Sequence, residues 1–310
     1  MRVDKAVLNI ILKVELNKKF RYCVEGLVNN MLKVNDKIAL VVCSNGKKIE
    51  DRARLEKLEV VLKDMSLVPV FSTYVYEEKF GRSALAKWRA NELMKFYEDD
   101  SIKAIFDISG GDLANEVLDY LDYEIICKNN KPFFGYSDLT TVLNAITKKT
   151  QQATYLYQIM NILDNVERRA DFKGTLIYNK NDLTDVSWQF MQGESVEGIV
   201  VGGNIRCFLK LAGTEYFPNL DNKVLFLEGM STTIEGLITL LTQIKQIGVF
   251  NKISGLLLGT FTKIEQNLQN EDIYEILKDF VPENIPIAKT TEVGHSKDSK
   301  ILVIGQKIKL

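Results

Sequence analysis

The sequence has few of the residues that usually form metal, redox or nucleic-acid sites. Its 310 residues include one histidine and four dispersed cysteines, which form no CxxC pair. Zinc sites draw on several such ligands, so we expect no metal. The formal net charge of −1 offers no excess of Lys and Arg for nucleic acid or for an anionic membrane surface. We therefore expect neither nucleic acid nor a membrane as a partner.

Long apolar runs and phosphate-binding loops are also missing. The longest mainly apolar stretches, residues 6–14 and 253–261, are too short to span a bilayer. Charged and polar residues interrupt the N-terminal region, which does not have the layout of a signal peptide. The dispersed cysteines fit a reducing compartment, so we expect a cytoplasmic protein. Neither GxxxxGK[ST] nor a GxGxxG after the first predicted strand occurs, which argues against a nucleotide-binding loop.

Strand and helix patterns alternate from residue 33 to residue 164. The apolar runs DKIALVVC, IKAIFDI and KPFFGY predict buried strands, and helical patterns cover residues 50–65, 83–97 and the segment from Asp138. Alternation of this kind predicts an α/β fold with a mostly parallel sheet between helices. Ligands bind beyond the carboxyl ends of such strands, where Gly110-Gly111 and Ser137 lie.

The pattern changes near residue 165. A second amphipathic stretch at 155–163 leads into a charged segment at 165–197, which we predict to be turn-rich. Glycines at 201–204 predict a turn, and KVLFLE, ISGLLLGTF and the end of the chain predict strands. We divide the chain into an N-terminal extension of unknown role (1–32), an α/β domain (33–164) and a β-rich α/β domain (165–310). The extension could be an amphipathic helix, an added strand or an upstream segment.

Ser137 lies in FFGYSDLT, where an apolar strand pattern stops and a helical pattern begins. A serine at a helix start commonly caps the free N–H groups of the first turn. The alternative is a nucleophile on a tight turn, with the N–H of Asp138 free to bind an oxyanion.

Three further candidates have a structural and a catalytic interpretation each. His295 could be a surface or packed residue, or it could be the base that activates a serine. Glu228 ends an apolar strand and could be a solvated carboxylate, or it could orient the histidine ring. Gly110-Gly111 could form only a tight turn, or the N–H of Gly111 could join that of Asp138 in an oxyanion hole.

An ordered set of segments resembles the LD-carboxypeptidase family of serine peptidases, which includes the microcin C immunity peptidases. The segments are SGGDLANEVLDYLDYEIICKNNKPFFGYSDLTTVLNAI, VVGGNIRCFLKLAGTEYFP, KVLFLEG, GVFNKISGLLLGTF and GHS. The resemblance runs from about residue 33 to the end. It implies Ser137 as nucleophile, Glu228 and His295 as its partners, and the N–H groups of Gly111 and Asp138 as the oxyanion hole. One departure is Ser109, where the family often has arginine.

The resemblance also implies a fold and a reaction. An N-terminal parallel α/β domain would carry the serine, a C-terminal β-rich domain would carry the acid and the histidine, and the site would lie between them. The implied enzyme is a cytoplasmic homodimer without metal or cofactor that releases a terminal D-amino acid from a small murein peptide. Alternatives are a microcin C immunity-type peptidase that cleaves peptidyl nucleotides and a noncatalytic binding protein. We expect Trp188 to pack in the core rather than to stack on a nucleobase.

Overall fold

The computed structural model describes residues 19–22 and 31–310 of the chain. Its strands, in chain order, are β1 (Lys19–Tyr22), β2 (Lys37–Val41), β3 (Val68–Phe71), β4 (Ile102–Asp107), β5 (Phe133–Gly135), β6 (Thr154–Leu156), β7 (Val186–Gln192), β8 (Glu197–Asn204), β9 (Lys223–Gly229), β10 (Gly255–Phe261), β11 (Ile287–Lys289), β12 (Leu302–Ile304) and β13 (Lys307–Lys309).

The α-helices in the same residues are α1 (Arg52–Asp64), α2 (Ala86–Glu98), α3 (Tyr123–Asn129), α4 (Thr140–Thr150), α5 (Val166–Leu176), α6 (Ile205–Leu209), α7 (Ile234–Gln246) and α8 (Asn270–Lys278). Short 3₁₀ helices occur at Ile49–Asp51, Ala114–Tyr120, Ser137–Leu139, Ile159–Leu163, Val249–Asn251 and Ile264–Gln266. Within the described residues, no helix combines the length and the apolar character needed to cross a membrane.

The first sheet has six strands in the order β12-β6-β5-β4-β2-β3. All neighbouring pairs run parallel except β12 and β6, which are antiparallel. In β2 only Lys37 is exposed, and in β4 only Lys103 is exposed. Strands that are apolar on both faces are typical of a parallel sheet covered by helices on both sides. The predicted α/β fold with a mostly parallel sheet is therefore confirmed.

The second sheet has seven strands in the order β1-β7-β11-β10-β9-β8-β13. Strands β8 to β11 are parallel, whereas β1, β7 and β13 pair antiparallel with their neighbours. This mixed sheet confirms the predicted second α/β unit rich in strands. Strand β1 belongs to the predicted extension 1–32, of which 1–18 and 23–30 lie outside the described residues. Strand β12 crosses to the first sheet, and β13 returns to the second.

The two sheets contribute to one shared apolar cluster, which includes Ile105 of the first sheet and Phe226 and Leu257 of the second. Trp188 belongs to this cluster and is fully buried, with its ring edge-on to that of Phe226 at a centroid distance of 6.4 Å. A buried aromatic ring removes about 150–250 Å² from water, so it stabilises the fold strongly. The prediction that Trp188 packs in the core is confirmed.

The prediction of a turn-rich segment at 165–197 is wrong, because this segment contains α5 and β7. Asn165 begins α5, and its side chain accepts the N–H groups of Glu167 and Arg168. Phe172 and Leu176 form the buried face of the helix. The charged residues along this helix hid its narrow apolar face from the sequence pattern, although Asn165 is a typical helix-start signal.

The predicted turn at 201–204 is also wrong, because these residues lie inside β8. A Cβ on Gly202 would lie 2.1 Å from the Phe226 carbonyl oxygen, and one on Gly203 would lie 2.5 Å from Thr140 Oγ1. Both glycines are required by close packing against other elements, which a local pattern cannot reveal. The amphipathic stretch predicted at 155–163 begins as the end of β6 and becomes a 3₁₀ helix only at Ile159.

Candidate active site

Ser137 occupies a sharp corner between β5 and α4. The preceding Tyr136 is extended, whereas Ser137 has a φ of 54°. A non-glycine residue in this left-handed region is strained, which is typical of functional turns. Neither the 3₁₀ turn that begins at Ser137 nor α4 has a side-chain cap at its start. The helix-capping interpretation of Ser137 is therefore wrong.

The His295 ring lies between Ser137 and Glu228. Its Nε2 is 3.1 Å from Ser137 Oγ, and its Nδ1 is 2.6 Å from Glu228 Oε2. The loop that carries the ring follows β11 and passes close to β10, where a Cβ on Gly294 would lie 1.7 Å from Thr260 Oγ1. Glycine thus allows the loop to approach β10 closely enough to place His295 beside the serine.

Glu228 is the penultimate residue of β9 and is fully buried, so it is not a solvated strand-end carboxylate. Besides the His295 ring, Asn204 Nδ2 donates to its Oε1 at 3.1 Å and the Tyr136 hydroxyl donates to its Oε2 at 3.4 Å. Burial and the neighbouring carboxylate raise the pKa of Tyr136, which keeps its hydroxyl protonated as a donor. The Tyr136 ring also packs against His295, with a centroid distance of 4.5 Å.

The backbone N–H groups of Gly111 and Asp138 lie beside the serine. Gly111 lines the same cavities as Ser137 and has a φ of 126°. A Cβ there would lie 2.1 Å from Asn45 Oδ1, so the loop requires glycine at this position. Within residues 31–310, neither N–H donates a hydrogen bond to another protein group. Gly111 thus lies in the wall of both cavities that adjoin Ser137.

The side chain of Asp138 forms a buried network that the sequence did not suggest. Its carboxylate accepts hydrogen bonds from Ser44 Oγ at 2.6 Å and from the Ala114 N–H at 2.7 Å. Lys210 Nζ approaches its other oxygen at 2.6 Å. These partners come from three distant segments, so Asp138 ties the serine corner to the Gly110-Gly111 loop and to the end of α6.

A second buried carboxylate, that of Asp107, supports the Gly110-Gly111 loop. Asp107 accepts the N–H groups of Cys43 and Ser109, each at 2.7 Å, and burial raises its pKa. The Ser109 hydroxyl donates to Asp107 and accepts the Ser44 N–H at 2.9 Å. Ser109, at the position where the related family often has arginine, therefore holds two loops together.

Two cavities flank the serine and the histidine. One has a volume of about 300 Å³ and is walled by Gln158 and Asn161. The other has a volume of about 450 Å³ and is walled by Asn204 and Arg206. A hydroxyl between two cavities can face a substrate that extends on both sides of a scissile bond, as an acyl-transfer site requires.

Comparison with known proteins shows the family of the chain. Residues 38–157 match the model of the LD-carboxypeptidase N-terminal domain, and residues 197–310 match that of the LD-carboxypeptidase C-terminal domain. A putative carboxypeptidase of Treponema pallidum is 28% identical, over 90% of this chain and 91% of its own. The microcin C7 self-immunity protein MccF of Escherichia coli is 26% identical, over 74% and 77%. The crystal structure of an MccF-like protein from Bacillus anthracis is similar with a TM-score of 0.79, 27% identity and coverage of 90% and 97%.

Proposed function

Since the chain belongs to the LD-carboxypeptidase family, we propose that it is a serine carboxypeptidase that releases a terminal D-amino acid from murein peptides. We assign Ser137 as the nucleophile, His295 as the general base and Glu228 as the group that orients it. The observation that carries this assignment is the His295 ring, which contacts Ser137 Oγ at 3.1 Å and Glu228 Oε2 at 2.6 Å.

The proposed reaction proceeds through an acyl-enzyme. His295 Nε2 takes the proton of Ser137 as Oγ attacks the carbonyl carbon, and Glu228 stabilises the imidazolium through Nδ1–H. The N–H groups of Gly111 and Asp138 bind the oxyanion, each contributing about 3–4 kcal/mol at the transition state. His295 then protonates the leaving amine. In the second half of the reaction, His295 takes a proton from a water molecule as the water oxygen attacks the ester carbon, and it returns that proton to Ser137 Oγ as the acid is released.

Asn204 and Tyr136 serve as positioning residues in this proposal. Both donate to Glu228: Asn204 donates to Oε1, which His295 does not contact, and Tyr136 donates to Oε2, which His295 also contacts. They thus hold the carboxylate in place beside the His295 ring.

We further propose that the enzyme acts in the cytoplasm, in peptidoglycan recycling, as a homodimer. The cysteines Cys43, Cys127 and Cys207 are free thiols, which supports a reducing compartment; Cys23 lies outside the described residues. The dimer is inferred from the family resemblance alone. Sedimentation analysis of the purified protein tests it, and a monomeric mass at micromolar concentration would contradict it.

The assay is the release of free D-alanine from a murein tetrapeptide. Ser137→Ala should lower kcat by about 10⁴-fold or more, because the nucleophile has no substitute. The matched control is Ser101→Ala, at a surface turn away from both cavities, which should keep wild-type activity. Full activity of Ser137→Ala would remove this serine from the mechanism.

A second candidate substrate is a peptidyl or aminoacyl nucleotide, which the similarity to the microcin C7 self-immunity protein favours. An aminoacyl-sulfamoyl adenylate in the same assay distinguishes the two substrates. Trp188 is fully buried and could stack on a base only by leaving the core. Binding of either compound without turnover would instead indicate a noncatalytic protein with this fold.

A further inference from the structure

Arg206 lies in the wall of the larger cavity beside Ser137 and His295. It belongs to the short helix α6, directly after β8. Among the described residues that line the two cavities, Arg206 is the only side chain with a permanent positive charge. The nearby Lys210 does not line either cavity, because its Nζ contacts Asp138 at 2.6 Å and the Asp112 carbonyl oxygen at 2.9 Å.

Within residues 31–310, the guanidinium of Arg206 pairs with one group only. Its Nη1 pairs with the carboxylate of Asp112, and the two side chains are 51% and 59% exposed. An exposed ion pair contributes little to stability. The other edge of the guanidinium, formed by Nε and Nη2, has the geometry that binds a carboxylate through two parallel hydrogen bonds.

The start of α7, which also lines this cavity, is not an equivalent site for an anion. The Thr233 hydroxyl accepts the Gly236 N–H at 3.1 Å. The Glu235 carboxylate accepts its own backbone N–H, which lowers its pKa. The first turn is therefore already occupied by groups of the chain itself, and Arg206 is the available cation.

We propose that Arg206 binds a carboxylate of the substrate while the scissile amide lies against Ser137. This assignment rests on the proposed peptidase function. A carboxylate that leaves water needs a charged partner, and a carboxypeptidase substrate carries one next to the bond that is cleaved. The same chemistry could come from the terminal carboxylate of the released residue or from a carboxylate on the acyl part. Arg206 is thus a specificity-determining residue.

The test compares three peptides: one with a free C-terminal D-alanine, one with D-alanine amide, and one with its acyl-side carboxylate converted to an amide. Each is assayed with the wild type, Arg206→Gln and Arg206→Lys. The control is Arg52→Gln, an exposed arginine that pairs with Glu56 far from Ser137. Arg206→Gln should lower kcat/KM about 10- to 100-fold, mainly through KM, for peptides that carry the bound carboxylate. Arg206→Lys should recover part of this loss, because lysine restores the positive charge but cannot form the two parallel hydrogen bonds.

One of the two amide peptides lacks the carboxylate that Arg206 binds. On that peptide Arg206→Gln should lower kcat/KM no further, and this result identifies the carboxylate. The ratio of kcat/KM for the acid peptide to that for each amide peptide is compared between the wild type and Arg206→Gln. If both ratios are the same in the two enzymes, the assignment is overturned while the peptidase function stands. Binding of the same peptides to the Ser137→Ala protein, with and without Arg206→Gln, distinguishes failure of the Arg206 assignment from failure of the peptidase function. If Ser137→Ala binds the acid peptide more tightly than the amides and Arg206→Gln removes this preference, the assignment is supported even without turnover. If neither protein prefers the acid peptide, the assignment is refuted.

Discussion

The Glu228→Gln substitution keeps the size of the buried side chain and removes its charge. Three donors converge on this carboxylate: His295 Nδ1 at 2.6 Å, Asn204 Nδ2 at 3.1 Å and the Tyr136 hydroxyl at 3.4 Å. An amide has one acceptor oxygen and one NH₂ group, so it cannot satisfy all three. Whichever way the glutamine turns, its NH₂ group faces a donor.

Both orientations of the glutamine lead to a measurable loss. If its oxygen faces His295, Asn204 loses its acceptor, and an unsatisfied buried donor costs about 1–3 kcal/mol of stability. If its NH₂ group faces His295, the ring must accept at Nδ1 and carry its proton on Nε2. That tautomer cannot take the proton of Ser137, and we expect kcat to fall by about 10⁴-fold.

Two quantities are measured on the same samples. The first is kcat, with the amide substrate that the wild type hydrolyses, and the second is the thermal unfolding temperature. The control is Glu124→Gln, which removes the same charge from a side chain that is 86% exposed. We expect the control to match the wild type in both measurements. A Glu228→Gln enzyme that keeps both a kcat within about tenfold of the wild type and an unchanged unfolding temperature would refute this account of Glu228.

Three further substitutions test the surroundings of the site. Asp138→Asn should lower the free energy of unfolding by about 1–3 kcal/mol, because it removes the charge from a buried carboxylate that pairs with Lys210 and accepts from Ser44; unchanged denaturant unfolding would contradict this. Gly111→Ala should abolish turnover through its clash with Asn45, and a normal kcat would show that this loop can shift. Tyr157→Phe should stabilise the fold by about 1 kcal/mol at neutral pH, because this buried hydroxyl has no partner within residues 31–310. Burial also raises the pKa of Tyr157, so above pH 10 the unfolded state binds fewer protons, stability falls with rising pH, and the phenylalanine variant should lose less of it.

The sequence predicted the elements around the site better than their contacts. The corner at Ser137 and the strand end at Glu228 follow from apolar runs and helical spacing, which are local patterns. Asp138 meets Lys210 across 72 residues, and no local pattern reports a contact of that separation. The glycines of β8 were misinterpreted for the same reason, since they are required by Phe226 and Thr140, two distant residues. Helix α5 was missed although Asn165 offered a local signal, because charged residues obscured its apolar face.

The crossing of β12 and β13 bears on how the protein forms during synthesis. The two strands lie at the outer edges of different sheets. A ribosome must therefore translate as far as Ile304 before the first sheet can acquire its last strand, and as far as Lys309 before the second sheet can. Until then both layers expose an unpaired backbone edge, and such edges favour association with other nascent chains. Each sheet is thus completed only after all of its other strands have been translated, by one of two neighbouring segments.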